Sequence, residues 1–524
     1  MATQAVTTKY SIAEVAKHNN EDDCWIIIND KVYDVTDFLD GHPGGKRILM
    51  SVAGKDATTA FANFHKVAAV MASYGNKLQI GELDGAHKEA PKPKSDLFGE
   101  LIPYGDPNWY QGWKSPYYNE SHKVLRAFIR EIVDRELLPF GEEWEAAGSI
   151  PKSVYKSWGE RGLLACFSGA PWPKDAPYEP PCGIPREKWD TFHWLVVSDE
   201  LSRCSNSAGS VLTLCPSIAL PAVMNFGTAA QKKQLVPSAL RGEITVALAI
   251  SEPYAGSDVA NILTTAVKTA DGKHYIVNGE KKWITNGTWA DWFVTAVRTG
   301  KPGSAAAGMS VILIQRGAPG FKIRSVPTQA GTGSGTSYLT FENVKVPVEN
   351  LMGEENKGFK ILMFNFNKER LGICMGTPRS ARMCYEEAMR YANKRKTFGQ
   401  YLIEHGVIRN KFGHMARMIE ATQSWLELVC YQWDKMDKSD ADLKLGGAIA
   451  LLKAQCSVTY ELCAREASQI MGGIAYTKGG QGGIVERLYR GVRGAAIPGG
   501  SEEIMLDFGI RQGLKTARAL GAKL

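Results

Sequence analysis

A few residues stand out for chemistry because of what surrounds them. His42 follows Phe38-Leu39-Asp40-Gly41 and precedes Pro43-Gly44-Gly45, while His65 comes after Phe61 and Phe64. An imidazole can ligate a metal or move a proton near neutral pH. Glu369 lies in Phe366-Asn367-Lys368-Glu369-Arg370-Leu371, inside a long helical pattern. A carboxylate there can serve as a general base once burial raises its pKa. Two more carboxylates, Glu502 and Glu503, follow Ile497-Pro498-Gly499-Gly500-Ser501. The ten cysteines are scattered, with no CxxC pair and no zinc-like spacing. They read as reduced, buried thiols of an intracellular protein.

The elements that must position these groups fall into regimes. At 524 residues the chain is too long for one ordinary domain, and 44% apolar with 22% charged residues suits a globular protein with a sizeable core. Residues 10–84 mix β-rich runs (Cys24–Ile28, Lys31–Asp34) with helical stretches, so residues 1–86 are read as one module. Residues 87–117 are a connector. Its first part, with Lys88, Pro91, Lys92, Pro93 and Lys94, is solvated and extended; its second carries Trp109, Tyr110, Trp113 and Tyr117 and is expected to pack on the body. A tether of about ten residues reaches roughly 17 Å, which favours local delivery over wide swinging.

From 118 to 244 the pattern is helical, with amphipathic stretches expected at Val124–Pro139 and Trp189–Arg203. Residues 245–345 alternate strands and turns, and Asp271-Gly272 and Asn278-Gly279 read as hairpin turns around His274–Val277 and Lys281–Thr285. Residues 346–524 return to long helices (Phe359–Lys394, Val407–Met436, Asp442–Met471). No run is long and apolar enough for a membrane helix. Residues 1–86 carry eight Lys/Arg against eleven Asp/Glu, leaving −3 there and +10 elsewhere out of a net +7. An acidic module tethered to a basic body suggests mutual attraction. No dense basic run points to nucleic acid.

The Phe38–Gly45 run, with Val32-Tyr33-Asp34-Val35-Thr36 before it and Ala53-Gly54-Lys55-Asp56-Ala57-Thr58 after it, resembles cytochrome b5. That resemblance implies a small α+β module holding haem b between His42 and His65, which approach one iron from opposite faces on separate short helices. Phe38, Leu49, Phe61, Phe64 and Val67 would line the pocket. Bis-histidine ligation leaves no open position, which points to electron transfer over oxygen binding.

Three motifs make residues 118–524 resemble an acyl-CoA dehydrogenase: Leu248-Ala249-Ile250-Ser251-Glu252-Pro253-Tyr254-Ala255-Gly256-Ser257-Asp258, Trp283-Ile284-Thr285-Asn286-Gly287, and Arg395-Lys396-Thr397-Phe398-Gly399 followed by Gln469-Ile470-Met471-Gly472-Gly473. The implied fold is multidomain α+β: an N-terminal helical domain, a middle β-barrel-like domain and a C-terminal four-helix bundle. The implied cofactor is FAD. Ile250 and Ser251 would face the isoalloxazine ring, with Trp283 and Thr285 flanking it. Ser257 would bind the pyrophosphate or thioester side. Arg395, Thr397, Phe398, Gln469 and Gly473 would reach the adenosine half of FAD in a neighbouring subunit, which implies a homodimer or homotetramer. Ser501 and Glu503 fall in the family's flavin-binding stretch, with Glu503 where a Gln is usual.

Many members of that family carry a catalytic glutamate where Gly499 stands here. The isovaleryl and long-chain branch places it on another helix, at the position of Glu369. The resemblance then implies that Glu369 removes an α-proton while the Gly499 N–H, with a flavin hydroxyl, polarises the thioester carbonyl. Arg370 would order the site, and Asn367 replaces an Asp that contacts pantetheine, which leaves carrier specificity open. The expected product is a trans-2-enoyl thioester, with electrons passed to the fused haem and on to a one-electron redox partner. The alternatives are an oxidase that reduces oxygen and a flavin/haem electron-transfer protein without thioester chemistry. The terminal Ala522-Lys523-Leu524 resembles a Ser-Lys-Leu address and suggests peroxisomal import, with a cytoplasmic location as the alternative.

Overall fold

In a computed structural model, the described residues are 8–42, 44–58, 60–61, 70–84, 97–204, 209, 211–301 and 303–523. His65, Phe64, Val67, the Lys/Pro-rich half of the connector and Leu524 lie outside them. The N-terminal module is a five-stranded sheet, in order β1 (Lys9–Tyr10), β5 (Gln79–Leu83), β4 (Lys31–Asp34), β3 (Asp23–Ile28) and β2 (Asn19–Asn20). Its two outermost chain segments meet as the parallel pair β1–β5, and the rest is antiparallel. Cys24, Ile26, Ile28, Tyr33, Leu39 and Leu49 bury a small core of their own. Thr36 ties the turn after β4 by accepting from Cys24 N (2.9 Å) and donating to Asp34 (2.6 Å).

Residues 97–117 belong to the body and are not free tether. Tyr110 is 1% exposed. Its hydroxyl donates to Glu200 (2.7 Å), and the Arg126 guanidinium stacks over Phe98, Trp109 and Tyr110 at 3.9, 4.6 and 4.5 Å. Asp106 pairs with Arg379 (2.8 Å) and Arg130 (3.3 Å). Burial alone would lift the Asp106 carboxyl, but these two guanidiniums hold it at about 2.

Helix α3 (Glu120–Glu136; α1 and α2, Ile12–Val15 and Lys46–Ser51, lie in the first module) buries Leu125, Ile129, Ile132 and Val133 on one face, as its periodicity predicts. Helix α4 (Thr191–Leu201) departs from expectation. Every one of its residues is buried, so it is a central helix and not an amphipathic one. Asn119 and Asp190 cap these helices, each helped by a histidine, His122 or His193, that reaches back to the capping N–H. Between α4 and the β region, Cys215–Ala219 forms a π-helical turn containing Pro216.

The middle region is an eight-stranded sheet ordered β11 (Phe321–Ser325), β12 (Ser337–Pro347), β8 (His274–Ile284), β7 (Thr265–Lys268), β9 (Trp292–Arg298), β10 (Met309–Gln315) and β13 (Leu351–Met352), with β6 (Val246–Ala249) parallel to β9. Asp271-Gly272 turns between β7 and β8, with Gly272 at φ +70°. Asn278-Gly279 is no turn. It lies inside the single strand β8, opposite a register irregularity in β12, and a Cβ on Gly279 (φ +140°) would come within 2.6 Å of Thr264 Cα. Close backbone approach, not chain reversal, calls for this glycine.

Long helices close the chain: α5 (Gly358–Ala392), α6 (Gly406–Lys435), α7 (Lys438–Met471), α8 (Gly483–Ala496) and α9 (Glu502–Ala519). Helix α7 begins four residues before its expected start because Asp437 caps it, accepting from Asp440 N at 2.9 Å. Among the described residues, no helix is long and apolar enough to cross a membrane. All ten cysteines are free. Nine are buried as expected, and Cys182 is exposed.

Candidate active site

Helix α5 carries the site because its two faces do different work. Phe359, Met363 and Phe366 pack on the large core that also takes Leu248 and Ile250 from the end of β6. One turn on, Glu369 is half-buried. Among the described residues, none hydrogen-bonds its carboxylate. Burial lifts that carboxyl to about 7, against the lowering pull of Arg370 and Lys453. A carboxylate tuned to neutral pH can both take and release a proton there.

Arg370 turns toward the loop before α9. Its Nε donates to the Gly499 carbonyl (2.8 Å) and its Nη1 to Asn367 (3.3 Å). Gly499 has φ +69°, and a Cβ there would press on Ile373 (3.2 Å) and Arg370 (3.4 Å). A glutamate side chain at 499 would therefore be strained. Lys453 on α7 grips the same loop from the other side. It is fully buried and donates to Ala496 O and to Gly500 O (2.7 Å for the latter). Burial lowers its ammonium to about 8. Sequence reasoning missed Lys453, since nothing near it in the chain signals that α7 crosses behind a glycine turn. Glu503 is exposed and drawn below the usual carboxylate range by its own backbone N–H and Ser501, so it is poorly tuned as a base. Ser501 is the residue preceding α9.

A second cluster gathers where β6 and β8 end. Lys281, fully buried, donates to Ile250 O (2.9 Å) and pairs with Glu252 (2.8 Å); Lys282 N donates to Ser251 O (2.9 Å). These bonds set Ile250 and Ser251 beside Trp283, with Thr285 just beyond. Trp283 is 54% exposed and held at φ +65°. Such a backbone costs on the order of 1–3 kcal/mol and marks functional surfaces. A large indole standing out of the strained end of β8, beside ordered backbone, fits one wall of a planar flavin ring. Ser257 lies exposed on the following loop.

The third set is not brought to these two. Arg395, Phe398, Gln469 and Gly473 are exposed, Phe398 to 98%, and Thr397 pairs with Gln400 in a short hairpin and meets the nearby His405 (3.2 Å). Among the described residues, no hydrogen bond or ring contact joins them to the clusters above. In the first module, His42 is half-buried, with Phe38 edge-on at 6.0 Å and its Nδ1 3.3 Å from Gly45 O. Donation from Nδ1 orients the ring with Nε2 as the ligating nitrogen, which fits an axial haem ligand.

The order along the chain, a small sheet module, a helical region, a β region and a helical end, has clear relatives. Residues 11–84 match the cytochrome b5-like heme/steroid binding domain. The N-terminal, middle and C-terminal domains of acyl-CoA dehydrogenase match residues 119–243, 247–344 and 356–514. The chain is 39% identical over 430 residues to acyl-CoA dehydrogenase apdG of Emericella nidulans, covering 81% of this chain and 98% of that one. It is 30% identical to the mouse mitochondrial long-chain specific acyl-CoA dehydrogenase over 75% of this chain and 87% of that one. A crystal structure described as a putative acyl-CoA dehydrogenase from Mycobacterium smegmatis superposes with a TM-score of 0.67 at 32% identity, over 78% of this chain and all of that one. The chain belongs to the acyl-CoA dehydrogenase family, an oxidoreductase with a cytochrome b5-like domain fused at its N-terminal side.

Proposed function

We propose that the chain oxidises an acyl-CoA thioester to its trans-2-enoyl form, with Glu369 as the base. The observation that carries this is a half-buried carboxylate at about 7, one residue from an arginine that holds the Gly499 loop. Glu369 takes the α-proton. Arg370 and Lys453 fix the carbonyls of residues 496, 499 and 500, and the Gly499 N–H in that held loop would donate to the thioester oxygen. A preorganised donor of that kind contributes about 3 kcal/mol. FAD, held by Ile250, Ser251, Ser257, Trp283 and Thr285, would accept the β-hydride. Haem b, held by His42 and His65, would accept electrons singly. The exposed Phe398 and the apolar ridge of α9 (Ile504, Ile510, Leu514) support assembly with further copies of the chain.

Anaerobic mixing of the FAD-loaded enzyme with a panel of acyl-CoAs tests this reading. Flavin bleaching should precede haem reduction. Glu369→Gln should bleach about 10²–10⁴-fold more slowly with FAD still bound. Normal bleaching in that variant would move the base elsewhere. A haem that stays oxidised under bleached flavin would leave oxygen or another acceptor as the outlet.

A further inference from the structure

The docked connector has an inner and an outer face. Trp109, Tyr110 and Tyr117 turn inward and pack on the body. Leu97, Leu101, Tyr104 and Trp113 turn outward, and Leu101 is 51% and Trp113 66% exposed. Hydrogen bonds hold these four residues in one unit. Phe98 N donates to Tyr110 O (2.9 Å), Gln111 Nε2 to Ile102 O (3.1 Å) and Trp113 N to Asn108 O (3.3 Å). A Cβ on Gly112 would come 3.3 Å from Leu97 Cδ2, so Leu97 lies beside Trp113 in this patch. Two of the four sit on strained backbone, Leu101 at φ +57° and Tyr104 at φ +62°. Such conformations in bulky residues cost on the order of 1–3 kcal/mol each. Strain that holds apolar side chains out in water points to a surface with a partner.

The chain itself favours one partner for this surface. The last strand of the N-terminal module, β5, ends at Leu83, and the connector rejoins the described residues at Leu97, inside the patch. Twelve residues, 85–96, lie between the two parts. A chain of that length reaches about 17–21 Å. The module, with a radius of gyration of about 11 Å, is therefore always close to the patch, at an effective concentration in the millimolar range. It also carries an apolar face where the chain leaves it. Along β3, Ile26 and Ile28 point to the core that holds Leu39 and Phe38, the neighbour of His42. Trp25 and Ile27 point to the opposite side of the sheet, with Val15 of α1 and Leu83. The chain exits on this second side, where Asp84 N donates to Tyr10 O (2.8 Å), and α1 there exposes Ile12. Charges of −3 on the module and +10 on the rest favour their approach.

We propose that the outer face of the connector, formed by Leu97, Leu101, Tyr104 and Trp113, is the docking surface for the chain's own N-terminal module. The module rests on it through the Ile12 side of its sheet, which leaves the His42 side free to meet a redox partner. Small-angle X-ray scattering of the full-length, cofactor-loaded protein tests this, because it reads shape and mass together. The wild type should be compact. Leu101→Glu, Trp113→Glu and Ile12→Glu should each lengthen the largest dimension by about 10–20 Å, the order of the tether's reach. Mass and the flavin spectrum should not change. A wild type already as long as the variants overturns the proposal. So does a Trp113→Glu protein that loses mass instead of lengthening, since a second copy then covers the patch. An Ile12→Glu protein that stays compact overturns the choice of docking side. Ile12 and Trp113 lie in separately packed parts, so misfolding of one variant leaves the other to decide.

Discussion

Burial raises the Glu369 carboxyl to about 7, while Arg370 and Lys453 pull the other way. The sign of the pH dependence follows. On the proposed role of Glu369 the carboxyl must be ionised, and it is raised to about 7, so kcat/KM should climb as pH rises through about 7 and level off above it. A profile already flat from pH 5 upward would mean that the titrating base is an ordinary exposed carboxylate. Lys453 offers a sharper test. Lys453→Met removes a nearby positive charge and frees the carbonyls of Ala496 and Gly500. The acidic limb should move to higher pH, because the lysine lowers the Glu369 value, and kcat should fall on the order of tenfold as the Gly499 N–H loses its aim. A change in KM alone, with an unmoved limb, would assign Lys453 to substrate binding.

At the scale of elements, α5 couples chemistry to architecture. Ten residues after Glu369 it buries Arg379, which pairs with Asp106 (2.8 Å) and Asp199 in the docked connector and in α4. Arg382, also fully buried, holds Tyr104 O (2.8 Å) and Glu420 (2.8 Å). The aromatic half of the connector is thus a brace on the helix that carries Glu369. Asp106→Ala should destabilise the chain by about 3–5 kcal/mol, since it strips Arg379 and Arg130 of a buried counter-charge. Urea unfolding followed by tryptophan fluorescence reads this directly. An unchanged midpoint would mean that Asp199 and Glu200 satisfy both arginines unaided.

At the scale of the whole molecule, the N-terminal module has its own core and sheet, separate from the body's clusters. His42→Ala should therefore abolish the low-spin b-type haem spectrum and leave the flavin spectrum intact. Retention of normal haem would show that another residue is the ligand. The module's −3 against the body's +10 adds a second expectation. If electrons pass between them inside one chain, raising ionic strength should slow haem reduction more than flavin reduction, because screening weakens their attraction beyond about 8–10 Å. Equal slowing would indicate that charge does not guide the two parts together.

Signals carried by local chemistry were legible without coordinates. The Phe38–Gly45 run and the 248–258 and 283–287 stretches are each written in adjacent residues, because a tight turn or a strand end needs particular types at fixed spacing. Long helices were legible for the same reason, since a 3.6-residue period repeats over many turns. Other features are settled only by segments distant in sequence. The all-buried α4 lacks a polar face because it is surrounded by other elements, so periodicity misled. Asn278-Gly279 has the composition of a turn, but Thr264 pressing on the backbone makes it strand. Lys453 has no local signature at all. It matters because a loop 43 to 47 residues away brings it two carbonyls. Sequence specifies the groups and their local frames; long-range packing decides which are buried, and burial sets their chemistry.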